Sequence, residues 1–174
     1  MSDIIHRAKN VRLAAFDVDG ILTDGRLYYT DGGEEIKAFN AQDGHGIKML
    51  KESGVAIAII TSRTSRVVEK RARDLGIELL FQGVANKLDT MNDLLKRLGL
   101  DMQAASYMGD DVIDLPVLRR CGLAVSVPEA PAIVRQHAHY VTRLPGGCGA
   151  VREFTEWVMQ AHGTWDARLA EYLQ

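Results

Sequence analysis

Short apolar runs of strand length alternate with helix-like patterns along most of this 174-residue sequence. The apolar runs fall at residues 11–16, 55–61, 78–81, 104–108, 123–127 and 139–142, and the helical patterns at 43–51, 65–75, 86–98, 111–120, 130–137, 150–161 and 164–173. Strands that alternate with helices build a parallel sheet, because each crossover helix returns the chain to the same edge. We therefore predict an α/β fold of three layers, a Rossmann-like parallel sheet with helices on both faces, as one domain over residues 1–174.

One stretch departs from this alternation and has the pattern of a β-hairpin. In residues 26–39, two short alternating runs flank the turn residues Asp31, Gly32 and Gly33. The next helix has Asp43 at its expected N-cap and Gly54 at its expected end. Residues 143–174 form a C-terminal tail that opens with the glycine-rich stretch RLPGGCG.

The composition excludes several classes of partner. The chain carries 21 basic and 23 acidic residues, a formal charge of −2, which gives no electrostatic basis for binding nucleic acid or an anionic membrane. The longest apolar run, residues 55–60, is far too short to span a bilayer, and residues 1–10 lack the apolar region of a secretory signal. The two cysteines form no metal-binding pattern, so we expect a protein of the reducing cytoplasm.

The end of the first predicted strand carries two carboxylates, Asp17 and Asp19, followed by Gly20. Residues two apart on an extended chain point to the same side, so both carboxylates would face one spot and repel each other. Mg²⁺ is the simplest cation to sit beside them. An ordinary acidic turn remains the alternative, because aspartate and glycine are common turn residues.

The later strand ends carry further residues suited to one chemistry. They are Thr61, Ser62 and Arg63, then Lys87, and then Asp110, Asp111 and Asp114. Each has an ordinary alternative as a helix cap or a surface residue. Because a parallel sheet collects its functional groups at the carboxyl ends of its strands, their joint occurrence favours phosphoryl transfer, which needs positioning and counter-charge for an anionic group.

These residues together resemble the haloacid dehalogenase-like phosphatase superfamily over nearly the whole chain. The motifs DVDGILTDG, ITSR, Lys87 and GDDVID occur in the order of that superfamily. The resemblance implies that Asp17 is the nucleophile and Asp19 the general acid/base. It implies Mg²⁺ held by the Asp17 carboxylate, the Asp19 backbone carbonyl and the Asp110 carboxylate, with Asp111 or Asp114 nearby. It also implies that Thr61, Ser62 and Lys87 bind phosphate.

The spacing of the motifs leaves no room for a cap domain, so the site would be open to water. In this the chain resembles the superfamily members that lack a cap and act on small metabolites, which form tetramers in which a neighbouring chain closes the site. The resemblance thus implies a homotetramer, with the hairpin and the C-terminal tail, residues 145–152 in particular, of a neighbour over the site.

Several stretches resemble one branch of the superfamily, the 3-deoxy-D-manno-octulosonate 8-phosphate (KDO 8-phosphate) phosphatases. They include FNAQDGHGIKML, FQGVANKLDTMNDLL and YVTRLPGGCGAVREF. Ser62 and His45 stand where that branch commonly has glycine and tyrosine. The resemblance implies hydrolysis of an acidic sugar phosphate in lipopolysaccharide precursor synthesis, with Arg63 and residues 43–46 near the sugar acid. A nonulosonate 9-phosphate is the alternative substrate.

Two hypotheses from other classes of protein compete with a phosphatase. A phospho-accepting signalling domain also uses an acidic pair, Mg²⁺, a threonine and a lysine, but places its acceptor aspartate after the third strand, where this chain has Gln82 and Gly83. A catalytically idle oligomerisation module would not need the intact set of Asp17, Asp19 and Asp110.

Overall fold

The computed structural model describes residues 2–174 and contains a six-stranded parallel sheet in the order β5-β4-β1-β6-β7-β8. Its strands are β1 Leu13–Phe16, β4 Ala56–Ile60, β5 Leu79–Phe81, β6 Ala105–Met108, β7 Leu123–Ser126 and β8 Tyr140–Val141. The central strand β1 pairs with β4 on one side and β6 on the other, both in parallel register. The predicted fold class is confirmed.

Helices cover both faces of this sheet. They are α1 Ser2–Asn10, α2 Ala41–Glu52, α3 Arg66–Asp74, α4 Lys87–Leu98, α5 Leu115–Leu118, α6 Ala132–Gln136, α7 Ala150–His162 and α8 Trp165–Ala170. From β1 the chain moves outward to β4 and β5, and then crosses back to β6, β7 and β8. Because these crossovers are right-handed, the two directions place α2 and α3 on one face of the sheet and α4, α5 and α6 on the other. Helix α7 packs on α2 and α1.

The core lies between these layers and follows directly from the apolar runs. All four residues of β1 and the last four of β4 are buried. Phe16 of β1 meets Phe154 of α7 edge to face, with ring centroids 5.8 Å apart. A central strand buried on both faces is rigid, and β1 therefore provides a fixed base for the carboxylates that come after it.

The hairpin forms as predicted, from β2 Tyr28–Tyr29 and β3 Glu35–Ile36, paired antiparallel. Gly33 has a φ of +81° in its turn, a conformation that glycine adopts without strain. Between β1 and β4 the described chain forms only this hairpin and α2, and between β4 and β5 only α3, so no cap domain is inserted. No helix in residues 2–174 is both long and apolar enough to cross a membrane.

The prediction that Asp43 caps the second helix is wrong. Asn40 is the N-cap of α2, and its side chain accepts hydrogen bonds from the N–H groups of Gln42 and Asp43. Asp43 lies inside the helix, buried, and its carboxylate accepts the N–H groups of Gly149 and Arg152 at 3.3 and 2.8 Å. It therefore caps α7, whose own N-cap is a glycine without a side chain.

Other differences concern the chain termini and one helix. Helix α1 was not predicted, because residues 1–10 mix charged and apolar residues. The helix expected over 111–120 is a 3₁₀ turn, Val112–Asp114, followed by the short α5, whose first turn contains Pro116.

In the glycine-rich stretch, Gly147 donates its N–H to the carbonyl of Ile21 at 2.9 Å. This stretch is thus bound to the loop after β1 of its own chain. The single-domain boundary, residues 1–174, stays a prediction.

Candidate active site

The predicted site residues converge at the carboxyl ends of β1, β4 and β6. They line a cavity of about 250 Å³. Its lining consists of Asp17, Asp19, Gly25, Thr61, Ser62, Arg63, Lys87, Asp110, Asp111 and Ile113. A larger cavity, of about 740 Å³, lies at the other end of the strands near Lys9, Arg12 and His162, and it contains no carboxylate. The chemistry therefore belongs to the smaller cavity.

Asp17 follows β1 directly and is almost completely buried. Its Oδ1 accepts the N–H of Val18 at 2.7 Å, and its Oδ2 lies 2.9 Å from Nζ of Lys87. Burial and the nearby charge of Asp114 raise the pKa of Asp17 to about 6, although Lys87 opposes this shift. A carboxylate held in so little water is strongly nucleophilic once a cation balances its charge.

Lys87 is the first residue of α4, directly after the N-cap Asn86, and its side chain is buried. Its Nζ bridges Asp17 and Oδ1 of Asp114, the latter at 2.6 Å. Burial acts to lower the pKa of Lys87, but the charges of the two carboxylates outweigh burial and leave the pKa raised. The lysine is therefore a fixed positive charge at the floor of the cavity.

Asp114 is fully buried and has all of its hydrogen-bond capacity in use. Oδ1 accepts Lys87 and the hydroxyl of Tyr107 at 2.8 Å, while Oδ2 accepts the N–H groups of Asp110 and Asp111 at 3.0 and 3.1 Å. Asp114 thus holds Lys87 and the loop after β6 in place. Asp111 is exposed and caps the 3₁₀ turn through the N–H of Val112.

Asp17 and Asp110 form a candidate metal site, with Asp114 beside them. Oxygen atoms of Asp17, Asp110 and Asp114 lie within 4.8 Å of one another. Oδ1 of Asp110 is buried and has no hydrogen-bond partner among the described residues. Burial and the charges of Asp17 and Asp114 raise the pKa of Asp110 to about 7. A buried, unpartnered carboxylate oxygen beside a second carboxylate is the arrangement that a hard divalent cation stabilises.

Gly20 is required by this arrangement. Its φ is +86°, and a Cβ at this position would overlap the carboxylate of Asp110. The glycine in the first motif therefore leaves space for a carboxylate delivered by a different strand.

Asp19 faces away from the three carboxylates, toward the hairpin. Its Oδ1 is paired with Nζ of Lys37, and its Oδ2 lies 3.5 Å from Nε of Arg63. Arg63 also donates to the hydroxyl of Tyr29 and to Glu35, both at 3.0 Å. The two aspartates of the first motif thus have different surroundings, one beside the carboxylate group and one between two cations.

Thr61 and Ser62 follow β4 at the other wall of the cavity. Thr61 is buried, and its Oγ1 accepts the N–H of Arg63 at 3.4 Å, which orients the turn after the strand. Ser62 is exposed at the cavity mouth. A hydroxyl and successive backbone N–H groups at a strand end suit an anionic oxygen.

Two sets of predicted residues lie elsewhere. Residues 43–46 belong to α2, where Asp43 caps α7 and the His45 ring meets the ring of Tyr172 at 5.5 Å. None of them lines the cavity of this chain. Residues 145–152 pack on the loop after β1 and begin α7.

Sequence reasoning missed Lys37, Glu35 and Tyr107. Glu35 and Lys37 lie two apart at the second hairpin strand, a spacing that places both side chains on one side, and this was an available signal. Tyr107 lies inside an apolar strand, and only the tertiary structure shows its hydroxyl at Asp114.

Comparisons with known proteins agree with this geometry. Residues 28–127 match the family described as haloacid dehalogenase-like hydrolase. The 3-deoxy-D-manno-octulosonate 8-phosphate phosphatase KdsC of Escherichia coli strain K12 is 46% identical over 165 residues, which cover 95% of this chain and 88% of the relative.

Two solved structures extend the likeness to three dimensions. A probable YrbI family phosphatase from Pseudomonas syringae pv. phaseolica has a TM-score of 0.98 and 51% identity, covering 100% of this chain and 99% of that one. The 3-deoxy-D-manno-octulosonate 8-phosphate phosphatase of Moraxella catarrhalis, solved with magnesium ion, phosphate ion and KDO, has a TM-score of 0.97 and 43% identity, covering 99% of both chains. The signalling-domain alternative is therefore set aside, and this chain belongs to the haloacid dehalogenase-like hydrolase family.

Proposed function

We propose that this protein is a Mg²⁺-dependent phosphatase that hydrolyses 3-deoxy-D-manno-octulosonate 8-phosphate to KDO and inorganic phosphate, in lipopolysaccharide precursor synthesis. The observation that carries the proposal is the buried Asp17 beside the unpartnered oxygen of Asp110 and the ammonium of Lys87. The substrate rests on relatives named for that activity at 46% and 43% identity over nearly the whole chain.

In the first step, Asp17 attacks phosphorus. A bond forms between a carboxylate oxygen of Asp17 and phosphorus while the bond from phosphorus to the sugar oxygen breaks. Asp19 gives its proton to the departing sugar oxygen, and the product of this step is an aspartyl-phosphate on Asp17. Thr61, the backbone near Ser62 and Lys87 hold the phosphoryl oxygens and balance their charge.

In the second step, water attacks the aspartyl-phosphate. Asp19, now a carboxylate, takes a proton from the water while the bond between phosphorus and Asp17 breaks, and inorganic phosphate leaves. Lys87 keeps the oxygen of Asp17 oriented through both steps, because Asp114 fixes the lysine from below.

The residues that would hold Mg²⁺ are the carboxylates of Asp17 and Asp110 and the backbone carbonyl of Asp19, with Asp114 behind them. A bound Mg²⁺ would supply the positive charge that screens an anionic nucleophile from an anionic substrate.

We also propose an assembly and a location for this protein. We expect a homotetramer in which a neighbour's hairpin closes the open cavity, a role suited to a hairpin with exposed apolar side chains. For the tail, only residues beyond α7 are available for this role, because residues 145–162 pack within their own chain. A reducing cytoplasm suits the two free cysteines, Cys121 and Cys148.

The decisive experiment is a hydrolysis panel with Mg²⁺ that includes KDO 8-phosphate, a nonulosonate 9-phosphate and simple sugar phosphates. We expect the highest kcat/KM for KDO 8-phosphate. Equal values across the panel would contradict the substrate assignment, and a preference for the nonulosonate would transfer it to the alternative.

The nucleophile is tested with Asp17→Asn. We expect turnover to fall by roughly 10⁴-fold or more while the thermal unfolding curve stays cooperative. Turnover close to that of the wild type would refute the role of Asp17.

A further inference from the structure

Four charged side chains form a closed ring at the mouth of the cavity. Lys37 pairs with Oδ1 of Asp19 and lies 3.3 Å from Oε1 of Glu35. Arg63 completes the ring, with Nη2 at 3.0 Å from the same oxygen of Glu35 and Nε at 3.5 Å from Oδ2 of Asp19. Positive and negative groups alternate around the ring, so its charge sums to zero when Asp19 is a carboxylate, its state between the two steps.

Lys37 is the most enclosed member of this ring. Its side chain is 1% exposed, whereas that of Arg63 is 42% exposed. A buried ammonium is retained only where it is paired, because its desolvation is costly. The lysine therefore has two fixed partners, while the guanidinium keeps access to water and to a ligand.

The ring joins three separate parts of the chain. Glu35 and Lys37 come from the hairpin, Asp19 from the loop after β1, and Arg63 from the turn after β4. Asp19 has no other side-chain partner among the described residues than Lys37 and Arg63. The orientation of its carboxylate is thus set by one residue of the hairpin and one residue of the turn after β4.

We propose, on the basis of the phosphatase function proposed above, that Lys37 is a positioning residue that holds the carboxylate of Asp19 where the sugar oxygen departs and where water attacks. The hairpin then contributes directly to the chemistry of its own chain. Lys37 does not line the cavity, and its ion pairs are with Asp19 and Glu35, not with the carboxylates of Asp17, Asp110 and Asp114, so its effect on the reaction would pass through Asp19.

This role differs from two simpler ones in what a substitution changes. A lysine that binds the sugar acid would affect KM, and a lysine that only fastens the hairpin would affect stability. A positioning residue affects kcat, because a displaced general acid/base loses part of its contribution of roughly 10²–10⁴-fold.

The test compares Lys37→Met with Lys37→Arg, and with Lys70→Met as a matched control for removing an exposed lysine of α3. With KDO 8-phosphate and Mg²⁺, we expect Lys37→Met to lower kcat by about 30–100-fold with KM changed less than about threefold. Lys37→Arg should recover part of kcat, and Lys70→Met should match the wild type. The affinity for inorganic phosphate, measured by calorimetry with Mg²⁺, should be the same in all four proteins.

Rapid-mixing kinetics with p-nitrophenyl phosphate isolate the attack of water on the aspartyl-phosphate. This leaving group departs without a proton, so Asp17 of Lys37→Met should still be phosphorylated, and the slowed attack of water should give a burst of close to one nitrophenolate per site. An unchanged kcat, an increase in KM alone, or the absence of a burst would overturn the proposal. If Lys37→Met does not unfold cooperatively on heating, Lys37→Gln takes its place in every comparison.

The experiments distinguish a wrong substrate from a wrong role of Lys37. If the wild type hydrolyses p-nitrophenyl phosphate but not KDO 8-phosphate, the assigned substrate is wrong, and the burst comparison still decides the role of Lys37. If the wild type hydrolyses KDO 8-phosphate and Lys37→Met is equally fast, the role of Lys37 is wrong and the assigned function stands.

Discussion

At the scale of single residues, the site combines carboxylates that repel one another with a scarcity of water. Asp17, Asp110 and Asp114 are brought together by two strands, and Lys87 supplies one positive charge among them. Burial and, after it, the remaining negative charge raise the pKa values of Asp17 and Asp110. A site with this excess negative charge has a preference for binding a cation.

This preference predicts an unusual dependence of stability on pH. The pKa values of Asp17 and Asp110, about 6 and about 7, lie above the unfolded value of 3.8. The folded protein then binds more protons than the unfolded chain between these values, so the stability of the metal-free protein falls as pH rises through them. Between pH 5 and 7.5 we expect a loss of about 3–4 kcal/mol from these two groups.

The measurement is thermal unfolding of the protein across this pH range, with a chelator and with Mg²⁺. Mg²⁺ should raise Tm at pH 7.5 and have little effect at pH 5, because it needs ionised carboxylates. Asp110→Asn should flatten the pH dependence and abolish the effect of Mg²⁺. His139 and His162, whose pKa values are lowered chiefly by burial, act in the opposite direction but equally in both proteins. If the metal-free wild type and Asp110→Asn had the same stability across this pH range, the interpretation would be contradicted.

A second residue-scale prediction concerns Gly20, which has a positive φ and no space for a side chain. Gly20→Ala should displace Asp110 and weaken the response of turnover to Mg²⁺ by at least about tenfold. Gly99 is the matched control, because its φ of +66° carries the same backbone cost but its surroundings are open. Gly99→Ala should lose roughly 1 kcal/mol of stability and keep its Mg²⁺ response. Equal Mg²⁺ responses in the two variants, both weakened or both intact, would argue against the overlap with Asp110.

At the scale of elements, one side chain of α2 completes a different helix. Helix α7 starts at a glycine, which leaves its first N–H groups without a capping side chain. Asp43, which lies in the first turn of α2, accepts hydrogen bonds from two of these N–H groups of α7. The contact between α2 and α7 is the most extensive between two helices of the described chain. The hydrogen bonds of Asp43 hold its register, in addition to apolar packing.

We expect Asp43→Ala to lower the free energy of unfolding by about 2 kcal/mol, because it removes a cap and leaves two enclosed N–H groups without acceptors. Urea unfolding measures this loss. Asn40→Ala, which removes the local cap of α2 at a more exposed position, should cost only about 1 kcal/mol. If Asn40→Ala proved the more destabilising of the two, Asp43 would have little part in holding α7.

At the scale of the whole molecule, the hairpin presents apolar side chains to solvent. Leu27, Tyr28, Tyr29 and Ile36 are 48%, 41%, 56% and 52% exposed. Such a surface next to an open cavity is suited to burial against another chain. The tetramer that we propose would cover it and narrow access to Asp17 and Asp19.

Sedimentation velocity tests this assembly. We expect the wild type to sediment as a tetramer and Leu27→Lys as a monomer, because a charge in an apolar interface is costly. Leu27→Lys should also turn over KDO 8-phosphate at least about tenfold more slowly, since an open cavity is exposed to water. Ile5→Lys, a similar change at a residue of α1 that is 42% exposed, should leave assembly and turnover unchanged. A monomeric wild type, or a fully active monomeric variant, would refute the assembly.

The amino-acid sequence by itself determined the fold class and the inventory of the site. Apolar runs such as the one ending at Phe16 must be buried, and their alternation with helices leaves a parallel sheet as the solution. A parallel sheet gathers the residues after its strands at one edge, so Asp17, Thr61, Lys87 and Asp110 were predictable as neighbours. Glycine signals also placed the hairpin turn and the end of α2.

Only the tertiary structure decided which partner each of these groups has. Asp43 satisfies the cap pattern locally, but Asn40 holds that position and releases Asp43 to α7, a contact 106 residues away in sequence. Asp17 and Asp19 are two apart and look equivalent, yet one meets Asp110 and the other meets Lys37 of the hairpin. Charges and hydrogen bonds act through space, and their distances are set by packing between elements that no local pattern encodes.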